Sequence, residues 1–213
     1  MTAAELRGGP VADAIRRHRL IAILRRVEPR DRLLALAEEL ADAGVRVFEV
    51  TLDAAAGADD LAAVREHLAG VEGAVVGAGT ILRRDQLDDA LRAGADFGVA
   101  PLFDPELARA ALEAGLPFVP GGMTPTELAA AWRAGATFVK LFPASAVGAS
   151  FVRELRGPLP DLALIPTGGI DAENAAPFLA VGAAAIGIGS ALVRADAASR
   201  RALVSSVLAE TPA

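Results

Sequence analysis

Lys140 is the only lysine in a chain of 213 residues; among its 21 Lys and Arg side chains, all the others are arginine. It closes the apolar run Thr137-Phe138-Val139-Lys140 and is followed by Leu141-Phe142-Pro143. An amine in that setting can do what a guanidinium cannot. Arginine stays protonated, with a pKa above ~12, whereas a desolvated lysine falls toward neutrality and attacks a carbonyl carbon. Lys140 therefore reads as a candidate Schiff-base nucleophile. The competing reading is a buried stem whose charged head reaches the surface.

Imine formation also needs a group that moves protons, and the spacing of the chain offers Glu49. Five segments share one pattern, at 43–49, 93–99, 114–120, 134–140 and 181–187. In each, a helix-like stretch ends in a glycine suited to a left-handed helix end, and a short apolar run follows. Counting five residues on from that glycine reaches Glu49, Val99, Lys140 and Gly187 in four of them.

The elements that position these residues follow from the same repeat. Strands are expected at 20–25, 46–51, 73–78, 96–100, 117–120, 137–141, 162–166 and 184–188, with amphipathic helical patterns between them. Regular strand–helix alternation implies a parallel sheet, and eight such units close into a (β/α)8 TIM barrel. A further helix near 10–18 would cap the bottom, and the whole of 1–213 reads as one domain. An open doubly wound sheet is the runner-up, but no Gly-x-Gly-x-x-Gly turn follows the first strand. In a barrel, alternate strands supply one inward layer, so Glu49, Val99, Lys140 and Gly187 are expected together near the catalytic mouth. A plain buried Glu49–Lys140 ion pair is the alternative for those two charges.

Two glycine-rich turns read as an anion site. Pro166-Thr167-Gly168-Gly169-Ile170 follows the seventh strand, with a helix expected to open near Asp171. Gly187-Ile188-Gly189-Ser190-Ala191 follows the eighth. Backbone N–H groups at helix N-termini favour an anion, and the loops after barrel strands seven and eight commonly hold phosphate. The Thr167 and Ser190 hydroxyls add potential contacts. The third strand ends in Gly77-Ala78-Gly79-Thr80, where Thr80 can donate to a carboxylate or ketone oxygen. Arg25 ends the first strand as a charge partner for phosphate or carboxylate. Pro101, just beyond the fourth strand, completes the candidate substrate-binding set.

Composition narrows the alternatives. The chain has no cysteine, which excludes disulfides, thiolate metal sites and cysteine catalysis. His18 and His67 fall on helical patterns away from strand ends, so no zinc ligand set is evident and imine chemistry is favoured over a metal enolate. Net charge is −6 with no basic tract, so no nucleic-acid surface is expected. The uncharged stretch 174–193 is long enough to span a bilayer, but Pro177, Gly182, Gly187 and Gly189 break it into a helix end, a buried strand and a turn. The N-terminus lacks the apolar region of a signal peptide, and the cytoplasm is the default compartment. Trp132 reads as packing.

In this order, the residues resemble the 2-keto-3-deoxy-6-phosphogluconate aldolase family, which includes 4-hydroxy-2-oxoglutarate aldolases. The resemblance runs from about residue 10 to the C-terminal helix. It rests on Glu49-Val50-Thr51-Leu52, Gly77-Ala78-Gly79-Thr80, Pro120-Gly121-Gly122-Met123-Thr124-Pro125, Lys140-Leu141-Phe142-Pro143-Ala144, Pro166-Thr167-Gly168-Gly169 and Gly187-Ile188-Gly189-Ser190. It implies a cofactor-free class I aldolase assembled as a trimer. Lys140 would match the imine-forming lysine, Glu49 the general acid/base, Thr80 a residue at the pyruvate carboxylate, and Gly168, Gly169 and Ser190 the phosphate site. Two positions depart from the pattern. Asp53 stands where well-known members carry a carboxylate-binding arginine, and Ala100, before Pro101, stands where relatives commonly carry serine. The expected reaction is cleavage of 2-keto-3-deoxy-6-phosphogluconate to pyruvate and glyceraldehyde 3-phosphate. The alternatives are the same chemistry on 4-hydroxy-2-oxoglutarate or 2-keto-3-deoxy-6-phosphogalactonate, or a non-catalytic phosphate-binding barrel.

Overall fold

The computed structural model describes residues 1–209, so residues 210–213 of the expected 1–213 domain lie outside the described residues. Nine short strands alternate with helices. The strands are β1 (Leu20–Leu24), β2 (Val47–Thr51), β3 (Val75–Gly79), β4 (Gly98–Val99), β5 (Phe118–Val119), β6 (Gly121–Gly122), β7 (Val139–Leu141), β8 (Leu164–Pro166) and β9 (Ile186–Ile188). Helices α1 (Ala3–Arg7) and α2 (Pro10–His18) precede β1. Helices α3 (Arg30–Asp42), α4 (Gly57–His67), α5 (Arg84–Arg92) and α6 (Pro105–Glu113) follow β1 to β4 in turn. Then α7 (Pro125–Arg133) follows β6, α8 (Gly148–Arg156) follows β7, and α9 (Ala175–Ala180) follows β8. Finally α10 (Ser190–Arg194) and α11 (Ala197–Ala209) follow β9. No helix among the described residues is long and apolar enough to cross a membrane; the uncharged stretch at 174–193 contains α9, β9 and part of α10.

All strand pairs are parallel. They form a curled six-stranded sheet in the order β5-β4-β3-β2-β1-β9 and a three-stranded sheet in the order β6-β7-β8. This corrects the expectation of eight uninterrupted strands. The run expected at 117–120 is two pieces, β5 and β6, separated by Pro120. Proline has no N–H to give to a ladder, so pairing lapses there. The Pro120 carbonyl still accepts from the Lys140 backbone N–H at 2.9 Å. At the other end of the small sheet, a single bridge joins Thr167 to Gly187, one residue beyond β8 and within β9.

The repeated glycines do what their spacing requires. Gly44, Gly94, Gly115, Gly135 and Gly182 all have φ between 73° and 103°. In each case the next residue's N–H reaches back five residues, as in Val45 N to Leu40 O at 3.0 Å and Leu116 N to Ala111 O at 2.9 Å. This ends the helix in a left-handed turn and aims the chain into the next strand. At helix N-termini, Thr124 and Glu127 form a capping box that opens α7, and Asp104 caps α6 ahead of Pro105.

Successive strand residues point to opposite faces, and the buried side chains divide accordingly. Ala22, Leu24, Phe48, Val50, Val139, Leu141 and Ile186 pack against the helices. Ile21, Ile23, Val47, Phe97, Val99, Val119, Phe138, Ile165 and Ala185 form a separate cluster on the inner face of the curl. Ala12 and Ile15 of α2 join that inner cluster, so this helix seals its lower end, as expected for 10–18. The additional helix α1 is opened by a Thr2–Glu5 capping box.

Candidate active site

The inner-face alternation continues past the apolar cluster to the C-terminal ends of the strands, and there it changes character. Two residues on from Ile23 stands Arg25. Two residues on from Val47 stands Glu49, then Thr51. Two residues on from Phe138 stands Lys140, then Phe142. Two residues on from Ile165 stands Thr167. All of them line one cavity of about 290 Å³, together with Thr80, Gly168, Gly169, Ile170, Gly187, Gly189, Ser190, Val193 and Arg194. The cavity therefore holds Lys140, Glu49, Thr80, Arg25, Thr167, Gly168, Gly169, Gly189 and Ser190 of the sequence-derived set. Pro101 is not in its wall; its carbonyl occupies the space that a side chain on Gly121 would need. Val99 also lies elsewhere, in the inner apolar cluster beside its register partner Val119.

Glu49 is 2% and Lys140 7% exposed, so both charges are held away from bulk water. Among the described residues the two do not approach within 4.0 Å as an ion pair, although the Lys140 charge acts on Glu49. Burial pushes the Glu49 carboxyl well above its ordinary value. The charges of Lys140 and Arg25 pull it back down in part, while Asp53 adds to the rise. Burial thus favours the protonated form, and a carboxyl so placed can both give and take a proton. Its position depends on Gly79, since a Cβ there would lie 2.6 Å from Glu49 Cγ and Cδ. The Lys140 amine stands 5.3 Å from the centre of the Phe142 ring.

Thr80, immediately after β3, has φ 59°. A β-branched residue in that region is strained, and such strain gathers at ligand sites. Thr51 is 4% exposed, and its Oγ1 is turned toward the Asp53 carboxyl without reaching full hydrogen-bond geometry. Burial tends to raise the Asp53 carboxyl, but the nearby Thr51, Arg25 and Arg26 together hold it below the ordinary carboxylate range. Thr51, Phe142 and Arg194 were not anticipated. For the first two the signal was available, because each is the next inner-face position after Glu49 or Lys140.

The two glycine-rich turns differ in build. Gly189 leads directly into α10 at Ser190, as expected. After β8, the helix starts at Ala175 rather than near Asp171. The reason is local: Asp171 accepts from Glu173 N at 3.0 Å and Asn174 N at 3.3 Å, while Asn174 Nδ2 donates to Gly169 O at 2.8 Å. These side chains hold a turn where a helix would otherwise begin. Gly168 and Gly169 have φ of 89° and 71°. No backbone hydrogen bond engages their N–H groups among the described residues.

The sequence pattern of the KDPG and KHG aldolase family matches residues 11–205. The chain is 37% identical to the 2-dehydro-3-deoxy-6-phosphogalactonate aldolase of Escherichia coli K12 over 183 residues, covering 85% of this chain and 88% of that protein. A solved 4-hydroxy-2-oxoglutarate/2-dehydro-3-deoxyphosphogluconate aldolase superposes with a TM-score of 0.84 at 33% identity, covering 96% of this chain and 99% of the other. The KDPG aldolase of Legionella pneumophila, captured with pyruvate as a covalent carbinolamine, superposes with a TM-score of 0.82 at 27% identity, covering 96% and 98%.

Proposed function

Since the chain belongs to the KDPG and KHG aldolase family, a family of carbon–carbon lyases, we propose that it cleaves 2-keto-3-deoxy-6-phosphogluconate to pyruvate and glyceraldehyde 3-phosphate through an imine on Lys140. The observation that carries this reading is one cavity that brings a buried amine, a buried carboxyl with a raised pKa, and two glycine-rich turns together.

The Lys140 amine attacks the C2 ketone, forming a C–N bond while the ketone oxygen takes up a proton. The carbinolamine then loses water to give an iminium. Glu49, its pKa raised by burial, supplies and removes these protons, directly or through a water. It also takes the proton of the C4 hydroxyl as the C3–C4 bond breaks. The electron pair of that bond flows into the iminium, the aldehyde departs, and an enamine remains. Protonation at C3 and hydrolysis release pyruvate and restore the amine. Thr80 and Arg25 hold the carboxylate. Gly168, Gly169, Gly189 and Ser190 hold the phosphate with backbone N–H groups and a hydroxyl, aided by Thr167.

We further infer that the two sheets close into one (β/α)8 barrel, with Pro120 linking β5 to β6 and the Thr167–Gly187 bridge joining β8 to β9. A single domain, a homotrimeric assembly, a cytoplasmic setting and a place in Entner–Doudoroff sugar-acid breakdown belong to the same reading. The similarity to a 2-dehydro-3-deoxy-6-phosphogalactonate aldolase favours the galactonate epimer as the second substrate to test, and 4-hydroxy-2-oxoglutarate as the third.

The decisive experiment is borohydride reduction in the presence of pyruvate, followed by peptide mass spectrometry. A pyruvate adduct on Lys140 is expected; its absence would refute the imine. Lys140→Arg should keep the fold and lose all cleavage. Relative rates on the three substrates then assign specificity.

A further inference from the structure

Asp53, in the loop after β2, is a charged group to which the mechanism above gives no task. Its Oδ2 accepts from Arg25 Nε at 2.9 Å and Arg25 Nη2 at 2.7 Å. Arg26 Nε lies 3.3 Å from the same oxygen, and Arg26 Nη2 donates to the Asp53 carbonyl at 3.0 Å. The Asp53 side chain is 12% exposed, against 56% for Arg25. The acid is thus the fixed partner, and the arginine is the side chain being held.

Where Arg25 is held matters because it begins between two anion subsites. It follows β1, and β1 lies between β9 and β2 in the sheet. On the β9 side are Gly189 and Ser190; on the β2 side are Glu49 and Thr51. A long side chain that is more than half exposed could serve either. We propose that Asp53 is a positioning residue that draws the Arg25 guanidinium to the β2 side of the cavity, where it receives the carboxylate of the 2-keto acid rather than the phosphate.

Three observations support this assignment. A guanidinium has five N–H donors; Asp53 uses two, and the remaining three can still grip a carboxylate. The buried Thr51 lines the cavity on the same side, and its hydroxyl is turned toward the Asp53 carboxyl, so it helps to fix the acid that holds the arginine there. The phosphate end has a cation of its own in Arg194, at the end of α10. The proposal rests on the aldolase reading, and its test keeps the two separable.

The test uses pyruvate alone, whose carboxylate is its only anionic group. Exchange of its methyl protons with solvent deuterium, followed by NMR on the full-length enzyme, reports imine and enamine formation without any phosphate contact. Asp53→Ala is expected to raise KM for pyruvate about tenfold, equivalent to about 1.4 kcal/mol, with a smaller change in kcat. Asp53→Asn, which keeps one acceptor oxygen, should recover part of the loss. Arg25→Ala should match Asp53→Ala, and the double variant should be no worse than Arg25→Ala alone, since the acid acts only through the arginine. An unchanged or lowered pyruvate KM in Asp53→Ala would overturn the proposal, as would an effect confined to phosphorylated substrates or strict additivity in the double variant. A purely structural Asp53 would lower the melting temperature and the active fraction while leaving KM alone. Borohydride trapping on the unaltered enzyme separates the two levels. No adduct removes the aldolase reading and this proposal with it, whereas a normal adduct with an unaffected Asp53→Ala removes the positioning role alone.

Discussion

Gly79→Ala should damage catalysis far more than it damages the fold. The backbone at Gly79 lies outside the left-handed region, so alanine costs nothing there in φ. What it meets is Glu49: a Cβ would lie 2.6 Å from Cγ and Cδ, where ordinary contact begins at 3.4 Å. The Glu49 Oε1 would lie closer still, so the glutamate must shift by more than about 1 Å to restore van der Waals distance. It is 2% exposed, so the open cavity is the direction left to it. Overpacking of this kind costs about 1–3 kcal/mol. Displacing a catalytic group by about 1 Å costs on the order of 100-fold in rate. Gly77→Ala is the matched control on the same strand. Its Cβ would lie 2.5 and 2.6 Å from atoms of the Phe97 ring, and Phe97 belongs to the inner apolar cluster, outside the cavity. Both variants should lose roughly 2–12 °C in melting temperature. Only Gly79→Ala should lose about 100-fold in kcat/KM, measured as pyruvate release in a lactate-dehydrogenase-coupled assay. Wild-type kcat/KM in a folded Gly79→Ala enzyme would refute the role given to Glu49, as would equal losses in the two variants.

Other expectations follow from the same cavity. With Glu49 raised by burial against the lowering charges of Lys140 and Arg25 and the raising charge of Asp53, the acid limb of the kcat/KM–pH profile should lie above the ordinary glutamate value of about 4.3. A raised folded-state pKa means that the Glu49 contribution to stability is fully present below about 4.3 and is lost as pH climbs through the folded-state value. Chemical denaturation as a function of pH should show that decline, and Glu49→Gln should flatten it. Thr80→Gly should relieve the strain at φ 59°, which is worth about 1–3 kcal/mol, less up to about 1 kcal/mol of glycine entropy. The variant should melt a few degrees higher while binding substrate more weakly; a lower melting temperature would remove the strain argument. Arg194→Ala should raise KM for phosphorylated substrates about tenfold, in the range of one charge-assisted contact, and leave pyruvate exchange unchanged. Equal effects on both reactions would place Arg194 elsewhere in the mechanism.

How much of this was legible depended on the distance over which each constraint acts. The helix ends were legible because a left-handed glycine and the apolar run after it are local signals, and all five repeats carry them. Counting five residues from that glycine placed Glu49, Lys140 and Gly187 in the cavity, because strand alternation fixes the face once the strand's start is known. The same count put Val99 on the inner face, where it packs in the apolar cluster and not in the cavity wall. Pro120 was visible as a residue, but the lapse in pairing that it causes is a property of three neighbouring strands. The start of α9 was misplaced because Asp171 and Asn174 compete locally for the backbone groups a helix would use. Arg194 lies at the end of a short helix, and no periodic pattern marks it as facing inward.

The pairing of Arg25 with Asp53 required register, and register also explains why an acid suits position 53 in this chain. Ile23 stands opposite Glu49 and Leu24 opposite Val50, so the parallel course of β1 and β2 brings Arg25 and Arg26 out beside Thr51 and the loop that follows. Two guanidiniums already occupy that corner, both within 3.3 Å of one Asp53 oxygen. The arginine that the family resemblance leads one to expect at 53 would there become a third positive charge facing two others, with no acid to neutralise them. Like charges at that spacing repel, and each would also lower the Glu49 pKa that burial has raised. With aspartate at 53, the positive charge for the carboxylate comes instead from β1, and the acid that fixes it also supports the raised Glu49. Substitution at either position therefore has to be judged as a change to the pair.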